Sequence, residues 1–464
     1  MCKVTNNILK SETNSEKFSF RLANSVKTEA NLNATSLSCN GGALILQETM
    51  RRMEIASKLA SCIHDSRRPY LIRHSLEDII FTSILQKCLG YEDCNDCNVL
   101  RKDPMMRLAV KPEAMSELCS QPTMTRFENS INEDDLLKLQ EMFVTLFVAS
   151  YKGMAPREII LDCDDTNINT YGNQELTLFN TYYDSFCYMP LLIFEGHSGK
   201  MILPLLRPGR KNKTANICDT LQWLIMELRR SWPKTRIIVR GDSHFCSYEF
   251  MEWAETQTET FYITGISQNN ALNNKDIVKR VKEYARQLYR HNGSVEGIKR
   301  YNSCSYAAKT WSHEQHVIFK VEYTDLSKSI DEQNVRYIVT NLYGDDDYLY
   351  EQVYCARGKD ELYIREFKEA VNGDRLSCHT FNANRLRIFM HAAAYMVMHQ
   401  LREEAMKGSD CGSASLKTIR DKVLHCAVSV RILKTKVVID YAKYNPMNPV
   451  LQHAMRYYSQ RQAC

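Results

Sequence analysis

Three sets of acidic residues, far apart in the chain, offer most of its chemistry. The first is Leu161-Asp162-Cys163-Asp164-Asp165-Thr166, where the β-prone run Glu158-Ile159-Ile160-Leu161 ends in carboxylates. Residues two apart on a strand share a face, so Asp162 and Asp164 point together and Asp165 points away. The second is Ile237-Ile238-Val239-Arg240-Gly241-Asp242-Ser243, an apolar strand that delivers one carboxylate at its end. Carboxylates at the carboxyl ends of strands suit a hard, oxygen-seeking cation. Each run alone is equally compatible with an acidic turn that stops a strand. Periodicity does not choose between Asp162 and Asp164.

The third set is Tyr354, Arg357, Glu361 and Lys368. At about 100° per residue, all four fall within about 60° of one another on a helix. Incidental charge pairs on a solvent face would produce such a stripe. So would a catalytic carboxylate flanked by cations that hold phosphates, and phosphodiester chemistry needs these residue types. Its nucleophile, a water or a 3′-hydroxyl, and its leaving oxygen are both poor at neutral pH. Two Mg²⁺ ions about 4 Å apart activate the one and stabilise the other. Several carboxylates with open water positions hold such ions, while lysine and arginine anchor the non-reacting phosphates.

The elements that must position these residues follow from the pattern. Residues 1–40 are polar and read as a leader without fixed structure. Residues 41–150 are helical, with Ser75 to Leu89 at three- and four-residue apolar spacing and Asn132 as the cap of a helix through Leu146. From 151 to 272 the texture is α/β: a strand at Glu158, strands Tyr188–Phe194 and Met201–Leu206 joined by a turn, a helix from Ile217 to Leu228, a strand at Ile237, a helix near Tyr248 and a strand at Phe261. Residues 273–345 read as an insertion with its own strands, around His316 and Tyr337. Helices resume over 346–405, including a long apolar one from Ala383 to Leu401, and 406–464 form a C-terminal region.

Composition sets limits. The 464 residues suit two or three domains, and 44% hydrophobic with 25% charged residues is an ordinary globular balance. No run approaches the ~18 apolar residues that span a membrane, and the first residues lack an apolar signal core, so neither a membrane protein nor a secreted one is expected. Seventeen scattered cysteines read as reduced thiols, and Cys94 with Cys97 has no second ligand pair for zinc. The absence of a Gly-x-x-x-x-Gly-Lys-Ser/Thr run leaves ATP chemistry unsupported. The net charge of +5 is compatible with nucleic acid binding without requiring it, and the basic residues cluster: Arg207, Arg210, Lys211 and Lys213, then Arg229 to Arg240.

These residues resemble the DDE transposases of bacterial insertion sequences, most closely the group-1 set. That set bears a tyrosine-arginine-glutamate-lysine signature with two, three and six intervening residues, and Tyr354, Arg357, Glu361 and Lys368 satisfy it. Segments Gly90–Asp93, Leu100–Pro104, Ser120–Thr123, Phe179–Asp184, Leu206–Gly209, Arg240–Ser243 and Asp374–His379 are similar too, so the resemblance runs from about residue 40 to 405. It implies a ribonuclease H-like core interrupted by the β-rich insertion and preceded by a DNA-binding domain over 41–150. It selects Asp164, which precedes a threonine by two positions, and makes Asp164, Asp242 and Glu361 the catalytic ligands of two Mg²⁺ or Mn²⁺ ions.

The implied activity is cleavage at the element's ends to free 3′-hydroxyls, followed by their transfer into target DNA. Tyr354, Arg357 and Lys368 would contact the transposon end, and Arg207, Arg210, Lys211 and Arg240 are expected as further DNA contacts. The expected partners are terminal inverted repeats, target DNA and a second copy of the chain in the DNA complex. The expected location is a bacterial cytoplasm, at the nucleoid when DNA is bound. A hydrolytic nuclease on the same scaffold and a non-catalytic DNA-binding descendant are the alternatives. The chain departs from the family at Tyr171, where members usually carry a histidine before the glycine of a His-Gly-x-Gln segment, and at His244, where they commonly carry a glycine after Asp-Ser; neither is expected to touch the acidic triad.

Overall fold

The computed structural model describes residues 18–21, 27–30, 36–111, 115–209, 215–292, 297–323 and 334–460. An eight-stranded mixed sheet organises them. Its strands are β1 (Glu158–Asp165), β2 (Leu191–Glu195), β3 (Met201–Leu205), β4 (Arg236–Gly241), β5 (Thr260–Ile266), β6 (Ile298–Tyr306), β7 (Gln315–Tyr323) and β8 (Asn334–Thr340). They lie in the order β6-β7-β8-β5-β4-β1-β2-β3. β4 runs parallel to β1 and to β5, and every other neighbouring pair is antiparallel. The central strands are buried on both faces, which is why Ile159, Leu161, Ile237, Val239 and Ile263 form near-continuous apolar runs. The mixed α/β, ribonuclease H-like core expected from the sequence is present.

Three expectations change. The insertion does not stand apart: β8 pairs with β5 from Ile263 opposite Thr340 to Ile266 opposite Tyr337, so β6, β7 and β8 widen the core sheet. β6 gave no apolar signal because it is the edge strand and is largely half-exposed. The single strand expected from Tyr188 to Phe194 is broken at Pro190, which lacks an N–H for a ladder. Ser185–Tyr188 instead joins Ile168–Asn169 and Leu178–Asn180 in a small sheet just beyond β1. In the leader, Phe18–Arg21 pairs with Lys27–Ala30, and Leu37–Ser38 pairs with the strand Val428–Ile432. The rest of the leader up to residue 35 lies outside the described residues.

The helices that bear on the site are α1 (Ala43–Met53), α2 (Leu76–Cys88), α3 (Glu133–Ala149), α4 (Ala215–Ser231), α5 (Tyr248–Thr256), α6 (Asp276–Asn292), α7 (Gly358–Val371), α8 (Phe381–Glu404) and α9 (Asn448–Gln460). Their starts follow capping chemistry. Ser75 Oγ accepts from Asp78 N at 3.0 Å while Asp78 accepts from Ser75 N at 3.1 Å. Asn132 and Asp135 repeat the arrangement ahead of α3. α8 is apolar nearly all round and buried along its length. Phe143 of α3 packs against Phe389 of α8 with the rings tilted, and residues of α1, α2, α3, α9 and the sheet share one core with it. Residues 41–150 are thus built into the body that carries the sheet. Among the described residues no helix is long and apolar enough to cross a membrane.

Candidate active site

β1 and β4 are parallel neighbours with Arg240 opposite Asp162 and Gly241 opposite Cys163. One step further, Asp164 and Asp242 leave adjacent strand ends about 4.8 Å apart. Burial pushes the Asp164 carboxyl up to about 6, against the pull of Arg357, and the charge of Asp242 adds to the rise. Arg357 Nη1 stands 3.5 Å from Asp164 Oδ2. Asp242 Oδ1 accepts from His244 N at 2.8 Å, which fixes the turn Ser243–Phe245, and His244 Nδ1 lies 3.2 Å from the other oxygen, so the departure at His244 does touch the acidic triad, contrary to expectation.

The third group arrives from the opposite side of the sequence. The uniform helical stripe expected from Tyr354 to Lys368 holds only within α7, because Leu349–Tyr354 is a π-helical turn and Cys355–Arg357 a 3₁₀ turn. That change of pitch turns Tyr354 toward Asp242. A Cβ on Gly265 would lie 2.8 Å from the Tyr354 hydroxyl and 2.9 Å from Ser243 N. Lys368 Nζ donates to the carbonyl of Asn167, just past β1, at 2.9 Å. Glu361 lies two turns earlier in α7, within about 20° of Lys368 on the same face. It is exposed and makes no hydrogen bond or ion pair among the described residues. The structure thus brings Asp164 and Asp242 together, while Glu361 lies in sequence between Arg357, which reaches Asp164, and Lys368, which reaches Asn167. Among the described residues no three His, Cys, Asp or Glu side chains close into a metal cage.

Two residues expected to contact DNA are engaged by acids within the protein. Arg240 is 1% exposed. Its guanidinium grips both oxygens of Asp162, with Nη2 to Oδ2 at 2.5 Å, and Nη1 donates to Val353 O at 2.6 Å. A group so enclosed reaches no DNA. It shares a strand face with Ile238, inside a sheet covered on both sides. Arg207 is ion-paired with Asp165 and donates to Met189 O at 3.0 Å, which makes it a brace behind the first aspartate. Arg210 and Lys211 lie outside the described residues.

Sequence reasoning also passed over Asp360. It is 0% exposed and abuts Asp162. Burial, with the charge of Asp162 next, pushes its carboxyl well up, and among the described residues neither of its oxygens meets a hydrogen-bond partner. The signal was available: Asp360 occupies the apolar stripe of Tyr363, Ile364 and Phe367, where a carboxylate is out of place. Gly196 leaves room for the pair, since a Cβ there would lie 2.6 Å from Asp162 Oδ2 and 2.7 Å from Arg240 Nη2. Each catalytic candidate therefore sits one or two residues from a member of one buried network: Asp162, Arg240 and Asp360.

Around the site, the small sheet beyond β1 exposes Phe179, Tyr182, Tyr183 and Phe186, and Tyr183 senses the charges of Asp164 and Asp165. Gln174 Nε2 donates to Leu376 O at 2.7 Å and to Cys378 O at 2.8 Å, joining two of the short segments singled out above. Asp93 binds Arg375, Ser377 and Arg387 and so adds a third. Tyr171 is 75% exposed beside this staple, so the departure from histidine leaves it intact.

Residues 20–463 match the transposase DDE domain group 1 family. No curated protein matches. Among solved structures, the piggyBac transposase synaptic complex with hairpin DNA is similar at 10% identity and a TM-score of 0.40, over 92% of this chain and 81% of that one.

Proposed function

Because the chain belongs to the transposase DDE domain group 1 family, and is accordingly a DNA-cleaving transposase, we propose that Asp164, Asp242 and Glu361 are its catalytic carboxylates, holding two Mg²⁺ or Mn²⁺ ions against the strand to be cut. The observation that carries this reading is the pairing of β1 with β4, whose register ends at Gly241 opposite Cys163, one residue before Asp242 and Asp164, together with the rise that the charge of Asp242 adds at Asp164. The donor set is carboxylate oxygen alone, which hard cations prefer, and a cation there would relieve the burial and charge that raise the Asp164 carboxyl. Bound there, divalent ions supply an activated water or 3′-hydroxyl and a stabilised leaving oxygen.

The chain's own part is positional. The sheet fixes the two aspartates, and α7 would supply Glu361 as the third ligand. Arg357, Lys368 and Tyr354 hold phosphates of the transposon end. The freed 3′-hydroxyl then attacks target DNA, with two chains joining two ends of an insertion sequence in the bacterial nucleoid. The test is a labelled duplex bearing the element's terminus, incubated with purified chain and Mg²⁺. Nicked ends followed by joined products are expected. Nicks that never become joined products would make the chain a hydrolytic nuclease, and binding without nicks would make it a non-catalytic descendant.

A further inference from the structure

We infer that the N-terminal helical region carries a second DNA contact: an arginine-lined cavity that takes phosphates of the duplex backbone. This rests on the DNA-cutting reading and adds a binding surface on elements that contribute nothing to the carboxylate site. The cavity has a volume of about 660 Å³. Its walls come from the segment between residues 64 and 79, from Arg101 and from the helix Gln121–Asn129. Arg67, Arg68, Arg73, Arg101 and Arg126 line it together with His74, and Asp65 is the one acid in its wall.

The charge balance points to an anion. Arg67 is neutralised by a two-pronged pair with Asp65 at 2.7 Å on each prong, and Arg101 by Glu117 at 2.5 Å. Arg68 meets only the hydroxyl of Tyr70, at 3.3 Å. Arg73 and Arg126 are exposed and their guanidinium groups have no hydrogen-bond or ion-pair partner among the described residues. Three arginines therefore face the cavity without an acid. Two nitrogens of its wall, Arg101 Nε and His74 Nδ1, are buried with no hydrogen-bond partner. Arginine Nε–H is a donor at every pH, so its unmet need is for an acceptor. Buried donors seldom go unsatisfied in a protein's working state.

A phosphate supplies both the charge and the acceptor oxygens, and guanidinium groups match it with paired hydrogen bonds. The source we favour is the DNA backbone. Arg68, Arg73 and Arg126 are exposed at the mouth, in reach of a macromolecule, and Tyr70 beside them is 77% exposed. A transposase that must hold its substrate through cutting and joining gains from such sequence-independent grip.

The test uses the full chain and a fluorescent duplex of about 30 base pairs of arbitrary sequence, with affinity measured between roughly 50 and 200 mM salt. Arg73→Ala with Arg126→Ala should weaken binding roughly tenfold or more and reduce the salt slope by about 2, one unit per lost phosphate contact. The Arg73→Lys, Arg126→Lys pair should keep most of that slope, and Asp242→Asn should bind as the parent does while failing to cut. Unchanged affinity and slope in the alanine pair, with the parent chain still binding, would overturn the cavity contact and leave the catalytic reading standing. A parent chain that binds no duplex would overturn both. If inorganic phosphate raises the Tm of the parent chain but not of the alanine pair, while both bind DNA alike, the cavity takes a free anion and the inference fails.

Discussion

Asp242→Asn loses Mg²⁺-supported DNA cleavage by roughly a thousandfold or more while remaining folded, because removing a direct ligand exceeds the 10–100-fold typical of a supporting residue. Asp164→Asn loses as much and also becomes more stable when no metal is added. Its carboxyl is pushed up to about 6 by burial, with Asp242 adding to the rise. A raised carboxyl binds its proton more tightly in the folded state than in the unfolded one. The penalty of ionising it is therefore complete above about pH 6 and fades as pH falls toward 4. A rise of that size corresponds to about 3 kcal/mol, and the partner lost by Arg357 offsets part of that. The gain should be about 1–3 kcal/mol at pH 7.5 and shrink at pH 5. Thermal melts at both pH values, with and without Mg²⁺, check this. An aspartate that served only the fold would lose stability on substitution at both.

Arg240→Met should lower stability by about 3–5 kcal/mol, the usual result of removing one partner of a buried ion pair. That is a large part of the 5–15 kcal/mol typical of a folded domain. The substitution strands Asp162 beside Asp360 with no cation, in a place where neither oxygen set meets water. Arg240→Met combined with Asp162→Leu should regain most of the loss, since apolar replacements of similar volume remove both charges together. Urea midpoints separate the outcomes. A single variant as stable as the parent would remove Arg240 as the brace of β1, β4 and the turn ahead of α7. One consequence is practical: Asp162→Ala, the obvious control for Asp164, leaves Arg240 buried and unpaired and will damage the fold for reasons unconnected with catalysis.

How much of this was legible in the sequence depended on whether a signal was local. The apolar runs before Asp164 and Asp242 announced strands, and Ser75 and Asn132 announced helix starts, because those signals lie within a few residues. The adjacency of β1 and β4, which makes two separate aspartates into a pair, came from the family resemblance and the register and not from either run. The helical stripe failed at Tyr354 because uniform pitch was assumed through a π turn and a 3₁₀ turn. β6 was missed because an edge strand has no buried face to advertise. Arg240 was misassigned because a basic residue in a charged cluster looks exposed until the sheet is seen to cover it from both sides. Its partners Asp162 and Val353 lie 78 and 113 positions away.

The most direct measurement compares the two neighbouring acids of α7. Asp360 is buried beside Asp162 and its carboxyl is pushed well up, so Asp360→Asn, nearly isosteric and uncharged, fits the same place. Initial rates of Mg²⁺-dependent cleavage of a labelled element terminus should fall roughly a thousandfold or more in Glu361→Gln and stay within about tenfold of the parent in Asp360→Asn. An active Glu361→Gln beside a folded but inactive Asp360→Asn would contradict the assignment of Asp164, Asp242 and Glu361 as the metal-holding set.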